Sequence, residues 1–421
     1  MDHNNLSTPH PCEKHNHGVT KINRVIYRLA SVITNAFSRI FFKCRYMRNE
    51  IRGKKGPFVV IANHQAAYDF VNLMRATRTP MHFVVSESFF ETLPVKGIMT
   101  KMGVIPKQQF QTTPCDLRKM KGVIEEGEVL VIYPAGLMCE DGLSTPIPSA
   151  TYQFLKWLKA DVYMAKTMGT YFAMPKWSKG IRRGRTYMDI YKLFSAEELE
   201  HAELSEIKER TDEAMLFDAY REQEQLKVKY KGASNIEGLE NVLYICPGCN
   251  SAHTMSVRDG SVIFCKKCGF SEECDELGFL HKISAEGNEV RYVSDWSRFV
   301  YGKVKEALIA NSALDVSIPA DISLIDKKKH KFVHAGEATV RLTDGHFHID
   351  GVIGGEEQSI TVATQSFASM PFSPGKYFEI QHNGEIFRCS PKDPQCVMEF
   401  VNTVKALYEI SEQEKEFQTA T

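Results

Sequence analysis

Residues 59–70 read VVIANHQAAYDF. An apolar, β-branched run ends there in Asn63-His64, and Asp69 follows five positions after the histidine. Inside one helix, five steps of about 100° would set the two side chains well apart around the axis. They can meet only if His64 stands at the end of a strand and Asp69 lies in the first turns of the next helix. A neutral imidazole in that position can take a proton from an attacking hydroxyl, while a neighbouring carboxylate fixes its tautomer and stabilises the imidazolium. The pair would be part of a serine-protease-like triad whose nucleophile comes from the substrate. The spacing alone is common, and the same residues could simply cap a helix and face solvent.

The surroundings favour a strand-to-helix corner. From Gly56 to about Phe194, short apolar runs (PFVVIAN, MHFVVS, EVLVIYP, YFAMPK, TYMDIYKLF) alternate with helix-compatible segments such as Leu117–Glu126 and Thr151–Leu158. This pattern predicts a mixed α/β domain over residues 49–235, with a largely parallel sheet flanked by helices. A charged helical stretch opens with Ser195 and Glu198 in capping-box spacing and runs toward Lys231.

Upstream, residues 21–48 place Ile22, Val25, Ile26, Leu29, Val32, Ile33, Phe37 and Ile40 at helical spacing, with seven Lys or Arg and no acidic residue. Such a basic amphipathic helix suits a lipid interface, apolar face down and cations toward anionic headgroups. A core-packing first helix with a solvated face is the plainer alternative. Residues 1–20 are polar and are expected to be a disordered tail, in which His3, His10, Cys12, His15 and His17 would bind metal only adventitiously. No uninterrupted apolar stretch reaches membrane-spanning length, and no secretory signal opens the chain.

Downstream, YICPGCNSAHTMSVRDGSVIFCKKCGF contains Cys246, Cys249, Cys265 and Cys268 as two CxxC knuckles joined through an RDGS turn. That is the layout of a zinc ribbon, placed over residues 241–281. Four thiolates close the coordination sphere, so the metal is expected to be a structural zinc and His253 is not needed as a ligand. Arg258, Lys266 and Lys267 are too few to mark a nucleic-acid footprint, so no nucleic acid is expected and a protein partner suits the ribbon better. Residues 285–421 read as a helix (Ser294–Ser312), short strands between about Lys331 and Pro391, and a closing helix (Pro394–Glu412). The expectation is a small β-rich domain of pleckstrin-homology-like build, with the KKKHK run, Lys327–Lys331, ahead of its first strand.

At 421 residues the chain is long enough for two or three domains, and its 43% apolar and 25% charged residues are those of a globular protein. The formal net charge of zero says nothing about partners. Eleven cysteines without an export signal point to a reduced compartment, hence a cytoplasmic protein, peripheral on the inner face of a membrane.

Asn63–Asp69, then MGVIP (Met102–Pro106), YPAG (Tyr133–Gly136) and an apolar stretch ending at Pro175 form an ordered set. Over roughly residues 25–230 this set resembles the glycerolipid acyltransferases typified by lysophosphatidate acyltransferase, whose first block is NHxxxxD. The resemblance implies transfer of a fatty acyl group from a thioester, acyl-CoA or acyl carrier protein, to a hydroxyl on a membrane-soluble acceptor such as lysophosphatidate. It implies His64 as general base and Asp69 as its orienter. Asn63, Lys107, Tyr133, Pro134 and Gly136 fall at block positions expected to meet substrate.

The sequence departs from the family where acceptor phosphate is bound: Ala135, Met138 and Gln109 stand in place of a glutamate and two arginines. A phosphate needs cationic or multi-donor partners. Lys101 and Lys107, or Lys176, Lys179, Arg182, Arg183 and Arg185 in PKWSKGIRRGR, are the available replacements, and Glu140 or Asp141 could stand in for the glutamate. Two alternatives stay open: an acceptor without phosphate, and an inactive lipid-binding scaffold with a docking ribbon.

Overall fold

The structure, a computed structural model, describes residues 19–109, 112–285, 289–310, 316–343, 345–364 and 369–420. The histidine-containing tail, up to residue 18, lies outside them. Seven strands form the first sheet: β1 (Arg45–Asn49), β2 (Phe58–Ala62), β3 (Met81–Ser86), β4 (Ile105–Lys107), β5 (Val129–Ile132), β6 (Val162–Met168) and β7 (Tyr187–Phe194). Their order is β1-β7-β6-β2-β5-β3-β4, with β2 parallel to both neighbours and only β6 and β7 antiparallel. Every residue of β2 is buried, as a central strand covered on both faces requires.

The two faces can be read from the alternation along β2. Val59 and Ile61 pack with Met120, Val123, Tyr152, Leu155, Ile207 and Met215 on one side. Phe58, Val60 and Ala62 pack with Tyr27, Leu73 and Met74 on the other. The covering helices are α1 (Arg24–Phe37), α2 (Asp69–Ala76), α3 (Glu87–Glu91), α4 (Lys96–Lys101), α5 (Pro114–Glu125) and α6 (Ala150–Leu158). Further along come the helical turn α7 (Thr170–Ala173), then α8 (Ala196–His201), α9 (Leu204–Met215) and α10 (Ala219–Leu226). The capping box at Ser195 and Glu198 is present, both of its hydrogen bonds made.

The first helix is shorter than its sequence suggests. After a π turn at Ser38–Phe42, Lys43 adopts φ 45°, and Arg45 and Arg48 lie on the edge strand β1. The helix turns its apolar stripe outward: Val32 is 67% and Ile33 70% exposed, with Val25, Leu29 and Ile40 in line. Its inner side meets α2 through Ser38 Oγ, which donates to Asn72 Oδ1 at 2.8 Å, and through Phe37 and Tyr68, whose rings lie 5.3 Å apart. Arg24–Phe42 also has the length and apolar content of a membrane span among the described residues.

Two strand boundaries correct the sequence reading. The apolar run YFAMPK is not a strand, because Gly169 at φ 79° ends β6 and Thr170–Ala173 coil into α7. The strand is the preceding VYMAKTM. The C-terminal strands begin at Val316, not near Lys331, so the KKKHK run forms a turn between two strands, from which His330 Nδ1 donates to Glu91 O at 3.2 Å. Pro319 within VSIPADIS broke the expected alternation, and it is tolerated here in an antiparallel pairing.

The cysteine-bearing module is a four-stranded antiparallel sheet, β11-β10-β9-β8, of β8 (Met255–Arg258), β9 (Val262–Cys265), β10 (Ser271–Cys274) and β11 (Leu280–Lys282). Asp259 and Gly260, both at positive φ, make the tight turn between β8 and β9. Helix α11 (Val293–Ala310) follows. The last sheet is antiparallel throughout, β12 (Val316–Asp326), β13 (Lys331–Thr343), β14 (His346–Ile353), β15 (Glu356–Ala363), β16 (Phe372–Ser373), β17 (Tyr377–His382) and β18 (Glu385–Pro391), in the order β15-β14-β13-β12-β18-β17-β16. Helix α12 (Cys396–Ala420) closes it, with Phe400 stacked 5.1 Å from Phe378.

These modules share an apolar cluster with one end of the α/β domain, around Leu137, Tyr171, Phe172 and Tyr220, distinct from the two clusters that cover its sheet. Trp296 of α11 is fully buried, donates from Nε1 to Ile245 O at 2.9 Å and meets the Phe270 ring edge-on at 5.6 Å. The same helix is tied to α10 by Arg298–Asp218 at 2.8 Å and Arg221–Asp295 at 3.1 Å. Trp296→Ala removes both the indole volume and a buried hydrogen bond. It is expected to cost about 3–5 kcal/mol, read as a lower denaturant midpoint by circular dichroism. A midpoint within error of wild type would show that the ribbon does not depend on this anchor.

Candidate active site

Strand β2 ends at Ala62, His64 stands just beyond it, and α2 begins with Asp69. The chain therefore makes the strand-to-helix corner that the spacing demands. His64 Nδ1 lies 3.0 Å from Asp69 Oδ2, and that oxygen also accepts the Gln65 and Ala66 backbone N–H groups at 2.8 and 2.9 Å. The carboxylate is 1% exposed, whereas the imidazole retains 21%. One side of the ring is thus held from below while the other can meet a ligand. The Tyr133 ring lies 4.4 Å from the His64 ring, and the Cys139 N–H donates to His64 O at 3.0 Å. Burial raises the Tyr133 hydroxyl well above the usual tyrosine range, so it stays protonated. With Nδ1 facing a carboxylate, Nε2 is the nitrogen suited to accept a proton.

Asn63 does not face this opening. Its amide donates to Thr167 O at 2.9 Å and accepts from Thr167 N at 2.7 Å, fully buried, so it splints the ends of β2 and β6 instead of meeting substrate. Gln65, which no spacing rule singles out, is a second splint. Its Oε1 accepts from Thr170 Oγ1 at 3.3 Å and Tyr171 N at 3.2 Å, and its Nε2 donates to Glu222 Oε2 at 3.3 Å. Glu222 lies on α10, remote in sequence, and only the fold brings it under the corner. Burial pushes its carboxyl up to about 7, against the pull of Lys166 and the Gln65 amide.

Lys107 ends β4, which pairs with β3 on the edge where the parallel strands terminate. Its ammonium donates to Gln108 O at 3.0 Å, and burial lowers its pKa. Gln109 donates to Gly136 O at 2.6 Å, fastening the Tyr133-Pro134-Ala135-Gly136 turn. Gly136 takes φ 67° in that turn, and its N–H donates to Tyr133 O at 2.9 Å.

The basic loop after Pro175 departs from its expected role. Arg182 is buried and donates to Ser178 Oγ at 3.1 Å and to Asn235 O, so it braces the approach to the ribbon rather than binding substrate. Lys176 Nζ lies 3.4 Å from Met138 O and 3.2 Å from the Phe372 ring centre. Burial brings Lys176 down to about 8, opposed by the nearby Glu140 carboxyl. Arg183 is exposed and lies 5.3 Å over the Phe41 ring. Asp141 accepts from Leu143 N at 2.9 Å and Ser297 Oγ at 2.6 Å, which makes it a link to α11. Beside the β3 and β4 ends, a groove runs between Ser86, Ser88, Gln108 and Gln109 on one wall and Glu379 and Gln381 of the C-terminal sheet on the other. Among its described lining residues are amides, hydroxyls and carboxylates, but neither lysine nor arginine.

The four ribbon cysteines converge, with Sγ–Sγ distances of 3.6 Å (Cys246–Cys268) and 3.8 Å (Cys249–Cys265). A tetrahedral ion at about 2.3 Å from each sulfur sets such pairs about 3.8 Å apart, so the donors fit zinc. The Gly248 and Lys267 N–H groups point at Cys246 and Cys265 sulfur, as they do where thiolates carry charge. The cluster could hold a metal ion.

Glu222 supplies a pH test of the corner. The folded carboxyl keeps its proton to about 7, whereas an ordinary glutamate releases it near 4.5. The folded state then binds more protons between those values, and stability falls as pH rises through that window. Glu222→Gln is expected to flatten this part of the stability–pH profile, measured by urea denaturation from about pH 4.5 to about pH 8. An unchanged slope would contradict the buried protonated carboxyl.

Residues 43–175 match the family model described as Acyltransferase. The chain is also similar to the crystal structure of the 1-acyl-sn-glycerophosphate (LPA) acyltransferase, PlsC, from Thermotoga maritima, at 18% identity over 48% of this chain and 79% of that one, with a TM-score of 0.39. No curated protein matches it. The matched segment contains both His64 and Asp69.

Proposed function

We propose that this protein is a peripheral membrane O-acyltransferase that moves a fatty acyl group from a thioester, acyl-CoA or acyl carrier protein, to a lipid hydroxyl. The observation that carries the reading is the His64–Asp69 contact of 3.0 Å at a strand end, inside the segment that matches an acyltransferase model. His64 Nε2 takes the acceptor hydroxyl's proton as its oxygen attacks the thioester carbonyl. Collapse of the tetrahedral adduct breaks the C–S bond, and the imidazolium returns the proton to the leaving thiolate, completing the ester. Asp69 keeps Nδ1 protonated and orients the ring.

Lysophosphatidate is the acceptor that the sequence resemblance suggests. The positions of Arg182, Lys176 and Gln109 favour a second reading, an acceptor without phosphate. Arg182 is buried on Asn235, Lys176 is turned onto Phe372, and Gln109 brings an amide where a cation would be needed. The outward apolar stripe of α1, flanked by exposed Arg24, Arg28 and Arg39, supports interfacial binding on the inner face of a membrane. The exposed Phe89, Val95 and Ile98 around α3 and α4 extend the apolar surface. The four cysteines would hold a structural zinc. The C-terminal sheet, with its last strand beside its first and one closing helix, we read as pleckstrin-homology-like.

The direct test compares wild type, His64→Ala and Asp69→Asn on liposomes. It supplies labelled acyl-CoA or acyl carrier protein with lysophospholipids and neutral lipid alcohols. Transfer is expected to fall by about 10²–10⁴-fold in His64→Ala. Transfer to phosphorylated acceptors would establish the first reading, and transfer only to neutral ones the second. Equal background from all three proteins would leave a lipid-binding scaffold.

A membrane test is independent of turnover. Replacing Val25, Leu29, Val32 and Ile33 together by serine is expected to abolish flotation with anionic vesicles while the fold persists. Undiminished flotation would remove α1 from the interface.

A further inference from the structure

A second group of metal-ligating side chains lies away from the four cysteines. His253, in the loop between the two knuckles, meets Asp393 and Cys396 at the start of α12, and their ligand atoms all lie within 4.8 Å of one another. His253 Nδ1 is 3.2 Å from Asp393 Oδ2 and 3.9 Å from Cys396 Sγ. Around a tetrahedral zinc, with bonds of about 2.0–2.1 Å to nitrogen and oxygen and about 2.3 Å to sulfur, those separations would be about 3.3 and 3.6 Å. The two His253 separations are already close to ligand spacing, and the Asp393–Cys396 pair lies within 4.8 Å.

The neighbouring groups suit this use. Asp393 divides its carboxylate: Oδ1 accepts the Gln395 N–H at 3.0 Å, which leaves Oδ2 to face the imidazole. Glu399 Oε2 lies 3.2 Å from His253 Nε2, which lacks an aligned hydrogen-bond partner. A metal-bound histidine usually offers its second nitrogen to a carboxylate in that relation. His253 itself is held at φ 57°, an uncommon conformation for a non-glycine residue, with its N–H donating to Tyr244 O at 2.8 Å. The loop thus holds the ring against Asp393, Cys396 and Glu399 at the start of α12. Cys396 is buried while Asp393 is exposed, so the trio is reachable from solvent on one side.

We propose that His253, Asp393 and Cys396 bind a second divalent metal ion of the zinc class, which clamps the cysteine ribbon to the C-terminal helix. Nitrogen, oxygen and sulfur donors together select a borderline ion over magnesium or calcium. Three protein ligands leave a fourth position for water. The alternative occupant is a proton, with His253 as an imidazolium between Asp393 and Glu399.

Zinc content of the full-length protein separates the two. After purification without an affinity tag and dialysis against low zinc, wild type is expected to hold two zinc ions per chain. His253→Gln and Cys396→Ser are each expected to hold one. Cobalt replacement supplies the second readout: Cys396→Ser should remove a one-thiolate charge-transfer component and leave the four-thiolate absorption of the ribbon. That retained absorption, with an unchanged circular dichroism spectrum, certifies that each variant is folded. Should Cys396→Ser fail this check, His253→Gln and Asp393→Asn carry the test. One zinc in wild type, or two that persist in the variants, would overturn the proposal and leave His253 as an ion-pair residue.

Discussion

One oxygen of Asp69 governs the corner between β2 and α2. Oδ2 takes the His64 ring and two backbone N–H groups at once, all between 2.8 and 3.0 Å. A buried carboxylate is costly unless such donors surround it. Here those of Oδ2 come from the loop that joins strand to helix, while Oδ1 is buried without a hydrogen-bond partner among the described residues, so the groups that hold Oδ2 are the ones that give His64 its position. The corner cannot relax without stranding a buried charge. The strand that feeds it is central and fully buried, which fixes its register against β5 and β6. Asn63 and Gln65, on either side of the histidine, are committed to Thr167, Tyr171 and Glu222. His64 is the partly exposed member of a run, Asn63–Gln65, that is otherwise buried and structural.

Several features were legible because simple geometry forces them. If His64 and Asp69 meet at all, their interval requires a strand-to-helix corner, and two CxxC knuckles around a turn bring four cysteines together. What escaped the sequence depended on distant partners or on a single backbone angle. Tyr171, Phe172 and Ala173 are as apolar as a strand, and only the turn at Gly169 makes them helical. Arg182 reads as one more cation in a basic loop, yet its guanidinium points inward to a carbonyl more than fifty residues away. His253 sits inside the cysteine motif, while its neighbours belong to a helix that starts near residue 396. β12 was hidden by one proline. Membership of a site shared between distant segments leaves no local periodicity to read.

The appended modules are integral to the α/β domain. Trp296, Asp141, Asp218 and Phe372 each link elements from different parts of the chain, and one apolar cluster joins Leu137, Tyr171 and Tyr220 to the cysteine module, α11 and the C-terminal sheet. One result is a groove beside the second motif block whose far wall belongs to the C-terminal sheet. The chemistry of the groove at Gln109 is therefore partly set by Glu379 and Gln381 of the C-terminal sheet, far along the chain.

The packing of α1 on α2 has a further consequence for the proposed interfacial enzyme. Phe37 touches Tyr68, the residue before Asp69, so the outward apolar helix and the first turn of α2 are neighbours. Under the proposed reading, with α1 among headgroups, the start of α2 and its Asp69 would lie next to the lipid surface. An acceptor would then need only a small vertical excursion, its tails staying in the bilayer, and the membrane itself would serve as the container for the hydrocarbon. Selectivity among acceptors in such an arrangement falls on headgroup chemistry and depth.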